Sequence, residues 1–274
     1  MGKPREKKIG RCLLTGEVGP FAKSHIIPDA FMRRASDAPL KEWDGTGRPK
    51  RSFTGWYDTG ILGHTGEAII AKYDDAAAKC FIDHGYTYRS RRDPLNLGVL
   101  TDKLIPRQIY EIANVNAKTM HLFALSLLWR AAVSTLPACS LITVRPKRLE
   151  EIRARLLAGD PGPPDEFPAY FSVFCGAEEL PKMAPFQMGQ PTFACRFFLD
   201  GVVCYVSPRK HARGLAAFES FFVGRCSDVV NLVCVPSDTS QHARRVKEQV
   251  VELFDQHGDI FRGGSRVGNF SSNS

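Results

Sequence analysis

Arg11-Cys12-Leu13-Leu14-Thr15, followed after a short interval by Lys23-Ser24-His25-Ile26-Ile27-Pro28, is the stretch on which the reading of this 274-residue chain turns. Gly10, Gly16, Gly19 and Pro20 punctuate the short apolar pieces between residues 9 and 24, a pattern that favours a turn-rich hairpin over a helix. Pro28 restricts the residue before it to extended backbone, so 24–27 should continue as strand. The same proline suits the first position of a short helix over 28–34.

Outward from there, residues 36–60 are polar, glycine-rich and basic, and read as a long loop or irregular hairpin. Residues 63–83 form a firm helix. Thr65 is placed to cap it, Glu67 lies in its first turn, and Ile69, Ile70, Tyr73, Ala77, Cys80 and Phe81 recur at helical spacing. After a mixed stretch, residues 115–136 are apolar on every side, as expected of a central helix buried all round. Residues 146–157 are amphipathic, with Pro146 in the first turn and Gly159 as the stop. A proline-rich linker, 159–168, leads into strands over 169–175, 192–199, 202–207 and 228–235, with Asp200-Gly201 as a hairpin turn. A last amphipathic helix spans 241–257, and the Gly-, Ser- and Asn-rich tail from residue 263 should fray. The pattern predicts an α+β protein in three parts: a first unit over 1–113, a helical middle over 114–160 and a β-rich region with its final helix over 161–274.

The composition is that of a globular chain, with 43% hydrophobic and 24% charged residues and a net charge of +8. The longest apolar run, 122–129, is far short of the roughly 20 residues a membrane span needs, so no membrane partner is expected. The basic start lacks a following apolar stretch, so a secretory signal is not expected and the cytoplasm is the expected location. The eight cysteines sit mostly in apolar surroundings and read as reduced and buried. Basic clusters interleaved with Tyr and Trp suit a phosphate backbone and unstacked bases. The candidate nucleic-acid contacts are Lys23, Arg33, Arg34, Lys50, Arg51, Arg89, Arg91 and Arg92; the plainer reading is a solvated surface with aromatic rings beneath it. Arg209, Lys210, His211 and Arg213 form a further basic turn, either solvated or a second phosphate contact. No P-loop or Gly-x-Ser-x-Gly motif is present.

The segments 11–15 and 23–28, joined by Gly60-Ile61-Leu62-Gly63-His64-Thr65-Gly66-Glu67, resemble the HNH nucleases (the ββα-metal or His-Me finger family), in particular a bacterial branch with a Ser-His-Ile-Ile-Pro motif. The resemblance implies that His25 is the general base that activates water against a phosphodiester. It implies a single magnesium or manganese ion held by Glu67 and Asp74, with Asp75 as the neighbouring alternative pointing about 100° away around the helix. The plainer readings are a hydrogen-bonded structural histidine, a carboxylate favourably placed at a helix N-terminus, and a solvated helix surface. The family's knuckle carries two Cys-x-x-Cys pairs, whereas Thr15, Gly63 and Gly66 stand here beside Cys12. One thiolate cannot hold a structural zinc, so a zinc-free knuckle held by packing is expected. More weakly, residues 121–131 resemble the buried helix that follows the nuclease-like unit. There Trp129 reads as core, His121 as a satisfied core histidine, and Arg130 as a partner either for a buried carboxylate or for phosphate.

The function so implied is a metal-dependent endonuclease acting on DNA, with RNA as the second-ranked substrate, in bacterial anti-phage defence. The alternative is a catalytically inactive descendant that binds nucleic acid or protein as an accessory component of a defence complex. A third reading is a structural role in a larger assembly.

Overall fold

The computed structural model describes residues 8–32, 40–42, 50–52, 55–93, 109–175, 183–189, 193–210 and 213–236. The expected helix at 241–257 and the tail from 263 lie outside them. Strands β1 (Ile9–Arg11) and β2 (Val18–Pro20) form the expected glycine-punctuated hairpin, with Gly10 opposite Gly19. β3 (Ser24–His25) leads into the short helix α1 (Asp29–Met32). β4 (Leu40–Glu42) and β5 (Lys50–Ser52) pair antiparallel, and β6 (Tyr57–Asp58) returns to pair with β3. Helix α2 (His64–Ile82) follows.

Thr65 does not cap α2. The helix already begins at His64, behind an extended Gly63 that makes no side-chain cap hydrogen bond. The backbone before it is held from outside: Ala22 N–H donates to the Leu62 carbonyl at 2.8 Å, and Gly63 bridges to Phe21. With its entry fixed by pairing, the helix starts one residue before the threonine can act.

Strand β7 (Ile109–Ala113) precedes α3 (Ala117–Val133), which the Asn116 side chain caps by accepting from Thr119 N–H. Helix α4 (Pro146–Ala158) begins on proline and ends on Gly159, whose φ of 66° is the left-handed conformation that closes helices. The strands β8 (Ala169–Cys175), β9 (Phe186–Gln187), β10 (Cys195–Leu199), β11 (Val202–Val206) and β12 (Val229–Pro236) complete a six-stranded mixed sheet in the order β7-β12-β8-β11-β10-β9. Only the β12–β8 pairing is parallel. The fold is α+β. β7, on the sequence side of the first unit, is an edge strand of the C-terminal sheet.

Asp200 and Gly201 both have positive φ, 57° and 97°, as a two-residue hairpin turn matching strand twist requires. A Cβ on Gly201 would lie 2.9 Å from the Tyr88 ring, so the glycine also lets the 86–91 segment dock. Tyr88 N–H donates to the Asp200 carbonyl at 2.7 Å.

The core sits between the sheet and the helices. All seven residues of β8 are buried, because Ala169, Phe171, Val173 and Cys175 face the main core while Tyr170 and Phe174 enter separate clusters. A central strand covered on both faces reads as a continuous apolar run rather than an alternation. α3 packs on the sheet, with α2 and α4 beside it, which explains why its buried residues run almost without interruption from Ala117 to Ala131. One apolar cluster reaches from Cys12 to Cys234 across all three sequence parts. Two cysteines depart from the expectation of reduced thiols: Cys175 and Cys234, on neighbouring strands with Cα atoms 6.0 Å apart, are paired as a disulfide. Cys12, Cys80, Cys139, Cys195 and Cys204 are free and buried, and Cys226 is free and exposed.

Candidate functional site at the His25 strand

Ile26 and Ile27 are fully buried and anchor the strand that carries His25. Register does the rest: His25 stands opposite Tyr57, Ser24 opposite Asp58, and Ile26 N–H donates to the Trp56 carbonyl at 2.9 Å. The half-buried imidazole meets the Tyr57 ring edge-on at 6.0 Å, and its Nε2 is closed to solvent. The exposed Lys23 places Nζ 4.1 Å over the same tyrosine ring.

Behind this strand lies Arg130 of α3, fully buried. A guanidinium has five N–H donors, and each has an acceptor. Nη1 donates to the His25 carbonyl at 2.7 Å and to Asp74 Oδ2 at 2.8 Å. Nη2 donates to Asp74 Oδ1 at 2.8 Å and to Ser126 Oγ at 3.2 Å, and Nε to the Ser126 carbonyl at 3.3 Å. Asp74 is only 15% exposed. Burial pushes its carboxyl up to about 6, against the opposing pull of the Arg130 guanidinium. A second carboxylate, Asp58 on β6, accepts from Ser134 Oγ at 2.7 Å and from Gly60 N–H at 2.8 Å. Sequence reasoning passed over Asp58; the available signal was an aspartate two residues before a glycine, the spacing of an Asx turn.

The residues at the knuckle positions do come together. Thr15 N–H lies 3.5 Å from Cys12 Sγ. A Cβ on Gly63 would lie 3.5 Å from Cys12 Cβ, and one on Gly66 only 2.7 Å from Cys12 Sγ. The thiol itself fills the space that a side chain at Gly66 would take. Burial raises the Cys12 thiol, but hydrogen bonds from the Thr15 side chain and from the Thr15, Gly63 and Leu14 backbone outweigh it, leaving the thiol below its ordinary value. Leu14 is fully buried, and Arg153 of α4 donates to its carbonyl at 2.6 Å, so packing and a bond from a residue 139 positions away hold this hairpin.

Glu67 is half-buried on the first turn of α2, and its Oε2 is buried with no hydrogen-bond partner among the described residues. Such an oxygen suits a cation. Asp74, expected beside it as a second ligand, has both oxygens on Arg130, and a buried guanidinium within 2.8 Å opposes a divalent ion at the same carboxylate. Asp75 is exposed. Among the described residues no group of three or more His, Cys, Asp and Glu side chains is arranged to hold a metal ion. The residues as placed do not fit a magnesium or manganese ion.

The expected nucleic-acid contacts divide. Lys23 and Arg92 are exposed and Arg89 is half-buried. Arg91 instead ties the 86–91 segment to the sheet, donating to the Phe174 and Tyr86 carbonyls at 3.0 Å each. Lys50 and Arg51 lie on β5, and Arg33 and Arg34 lie outside the described residues. His121 is a core residue: its Nε2 lies 2.8 Å from the Phe167 carbonyl, so that nitrogen carries the proton, and burial lowers the imidazole to about 4.

The fold and this site together define an α+β protein whose His25 strand is locked to the buried helix α3 through Arg130 and whose N-terminal hairpin is tied to α4 through Arg153. Comparison with protein-family models, with curated proteins and with solved structures returns no match. No helix among the described residues is long and apolar enough to cross a membrane.

Proposed function

We propose that this chain is a non-catalytic, HNH-like module that binds nucleic acid, with DNA the first-ranked ligand and RNA the second. The observation that carries this reading is the Arg130 network. The carboxylate that a nuclease would direct at a metal, and the carbonyl of the histidine that it would use as base, both accept hydrogen bonds from one buried guanidinium. Those groups serve to fix the His25 strand against α3. Exposed cations, Lys23 with its tyrosine neighbour among them, remain for contact with phosphate. The reading places the module in the cytoplasm, as an accessory component of a bacterial anti-phage complex.

One observation favours the second reading, a metal-dependent endonuclease with His25 as base: the buried Oε2 of Glu67, which has no hydrogen-bond partner among the described residues. The experiment that separates the two is incubation of plasmid DNA with the purified protein at low salt, with magnesium or manganese, beside His25→Ala and an EDTA control. Gel-shift binding that weakens with salt, and no nicking under any condition, is the expected result. Metal-dependent nicking that disappears in His25→Ala would replace the binding module with the nuclease.

A further inference from the structure

A groove of about 700 Å³ opens between the start of α4 and the residues just before it, residues 187–189 with Phe193, and the segment that follows β11. No residue of the His25 site lines it. Among the described residues its wall holds four cations, Arg145, Arg148, Arg209 and Lys210, and no carboxylate. They differ in how they are held. Arg148 is fixed by the Pro208 carbonyl at 3.0 Å, by Glu151 and by Glu166, and Lys210 pairs with Glu166 at 2.7 Å. Those two are largely neutralised in place. Arg145 and Arg209 are exposed and have no ion-pair partner among the described residues.

The rest of the wall is mixed: Leu141, Met188, Phe193 and Pro208 are apolar, and Thr143 and Gln187 are polar. Arg209 lies 3.5 Å over the Phe193 ring. Phe193 itself has a φ of 47°, a conformation that a bulky side chain adopts only when its surroundings enforce it. Those surroundings are visible: its N–H donates to the Gly189 carbonyl at 3.2 Å, and Met188 N–H donates to the Ala194 carbonyl at 2.8 Å. These backbone bonds hold Phe193 and Met188 in a wall that also carries the two un-neutralised guanidinium groups. Cations that take phosphates, alternating with apolar surface that takes a base of any identity, are the means by which single strands are bound without sequence preference.

We propose that this groove binds single-stranded nucleic acid, with Arg145 and Arg209 each contacting a backbone phosphate and the Phe193–Met188 surface accepting a base. The proposal rests on the nucleic-acid reading above and adds a second, separate contact surface with a stated strand preference. An acidic peptide would complement the charges but would leave the apolar wall unused.

The test uses the full chain, a fluorescent oligothymidylate of about a dozen nucleotides and anisotropy titrations between roughly 50 and 200 mM salt. Arg145→Ala/Arg209→Ala should weaken binding on the order of tenfold or more at low salt, and should reduce the salt slope by about 1.4, two phosphates at about 0.7 each. Arg145→Lys/Arg209→Lys, which retains the charge, should keep most of the slope. Both arginines are exposed, so unchanged thermal melting checks that the variants fold. An unchanged slope in the alanine variant overturns the groove while leaving nucleic-acid binding intact. Wild-type binding to duplex but not to oligothymidylate does the same, and competition by polyglutamate equal to that of oligothymidylate would show mere polyanion attraction and overturn it as well. Binding to neither nucleic acid removes both the groove and the reading on which it rests.

Discussion

Replacing Arg130 with Met keeps an unbranched side chain of similar reach and removes all five donors. The carboxylate of Asp74 then loses two charge-assisted bonds of 2.8 Å, and the His25 carbonyl loses one of 2.7 Å. With Asp74 only 15% exposed, water replaces these poorly. Removing one partner of a buried pair costs about 3–5 kcal/mol, and about 4 kcal/mol is the value expected near pH 8. The loss should shrink toward pH 5. Burial already holds the Asp74 carboxyl at about 6, and removing the guanidinium raises it further, so an orphaned carboxyl takes up a proton as the pH falls. Urea unfolding followed by circular dichroism, on the wild type, Arg130→Met, Asp74→Leu and the double variant, gives the cycle. The double variant should be more stable than the sum of the single losses implies, by roughly 2 kcal/mol. Additive losses, or an Arg130→Met cost below about 1 kcal/mol, would refute the claim that this network locks the His25 strand.

Other expectations follow from single contacts. The buried His121 stays neutral in the fold, lowered from 6.5 to about 4, while the unfolded chain takes up its proton in that window. Stability should therefore fall by about 3 kcal/mol between pH 6.5 and 4 from this group alone, a slope that His121→Gln should remove in urea titrations. Gly66→Ala drives a methyl to 2.7 Å from Cys12 Sγ and should cost about 1–3 kcal/mol. In a Cys12→Ala background the same change should cost much less, and an equal cost in both would show that the thiol is not what fills the knuckle. Thiol titration of the denatured protein without reductant should count six groups, as the Cys175–Cys234 pair requires, and a count of eight would show that pair reduced.

Much of the fold was legible locally. Gly159 and Pro146 bounded α4, Asp200-Gly201 set a hairpin turn, and the all-round apolar character of α3 marked it as central. Each of these depends on residues adjacent in the chain or within one helical turn. The cap of α2 was misread because pairing with residues 21–22, some forty positions away, fixed its entry instead. β7 was not legible as part of the C-terminal sheet, since a short edge strand carries little pattern of its own. At the site, His25, Cys12 and the knuckle glycines were singled out from the text, and Arg130 was read as a partner for a carboxylate or for phosphate. Asp58 was missed because its partner Ser134 lies 76 residues away.

The sequence by itself determined the α+β class, the first hairpin, the described α-helices and most of the described strands, because backbone preference and apolar periodicity act over a few residues. Only the tertiary structure decided what the charged groups do. Arg130 meets Asp74 across 56 residues and the His25 carbonyl across 105, and the cations of the groove beside α4 come from two separate segments. Whether a carboxylate faces a metal or a guanidinium depends on which helices pack together, and that is settled by burying the whole core at once rather than by any local stretch of chain.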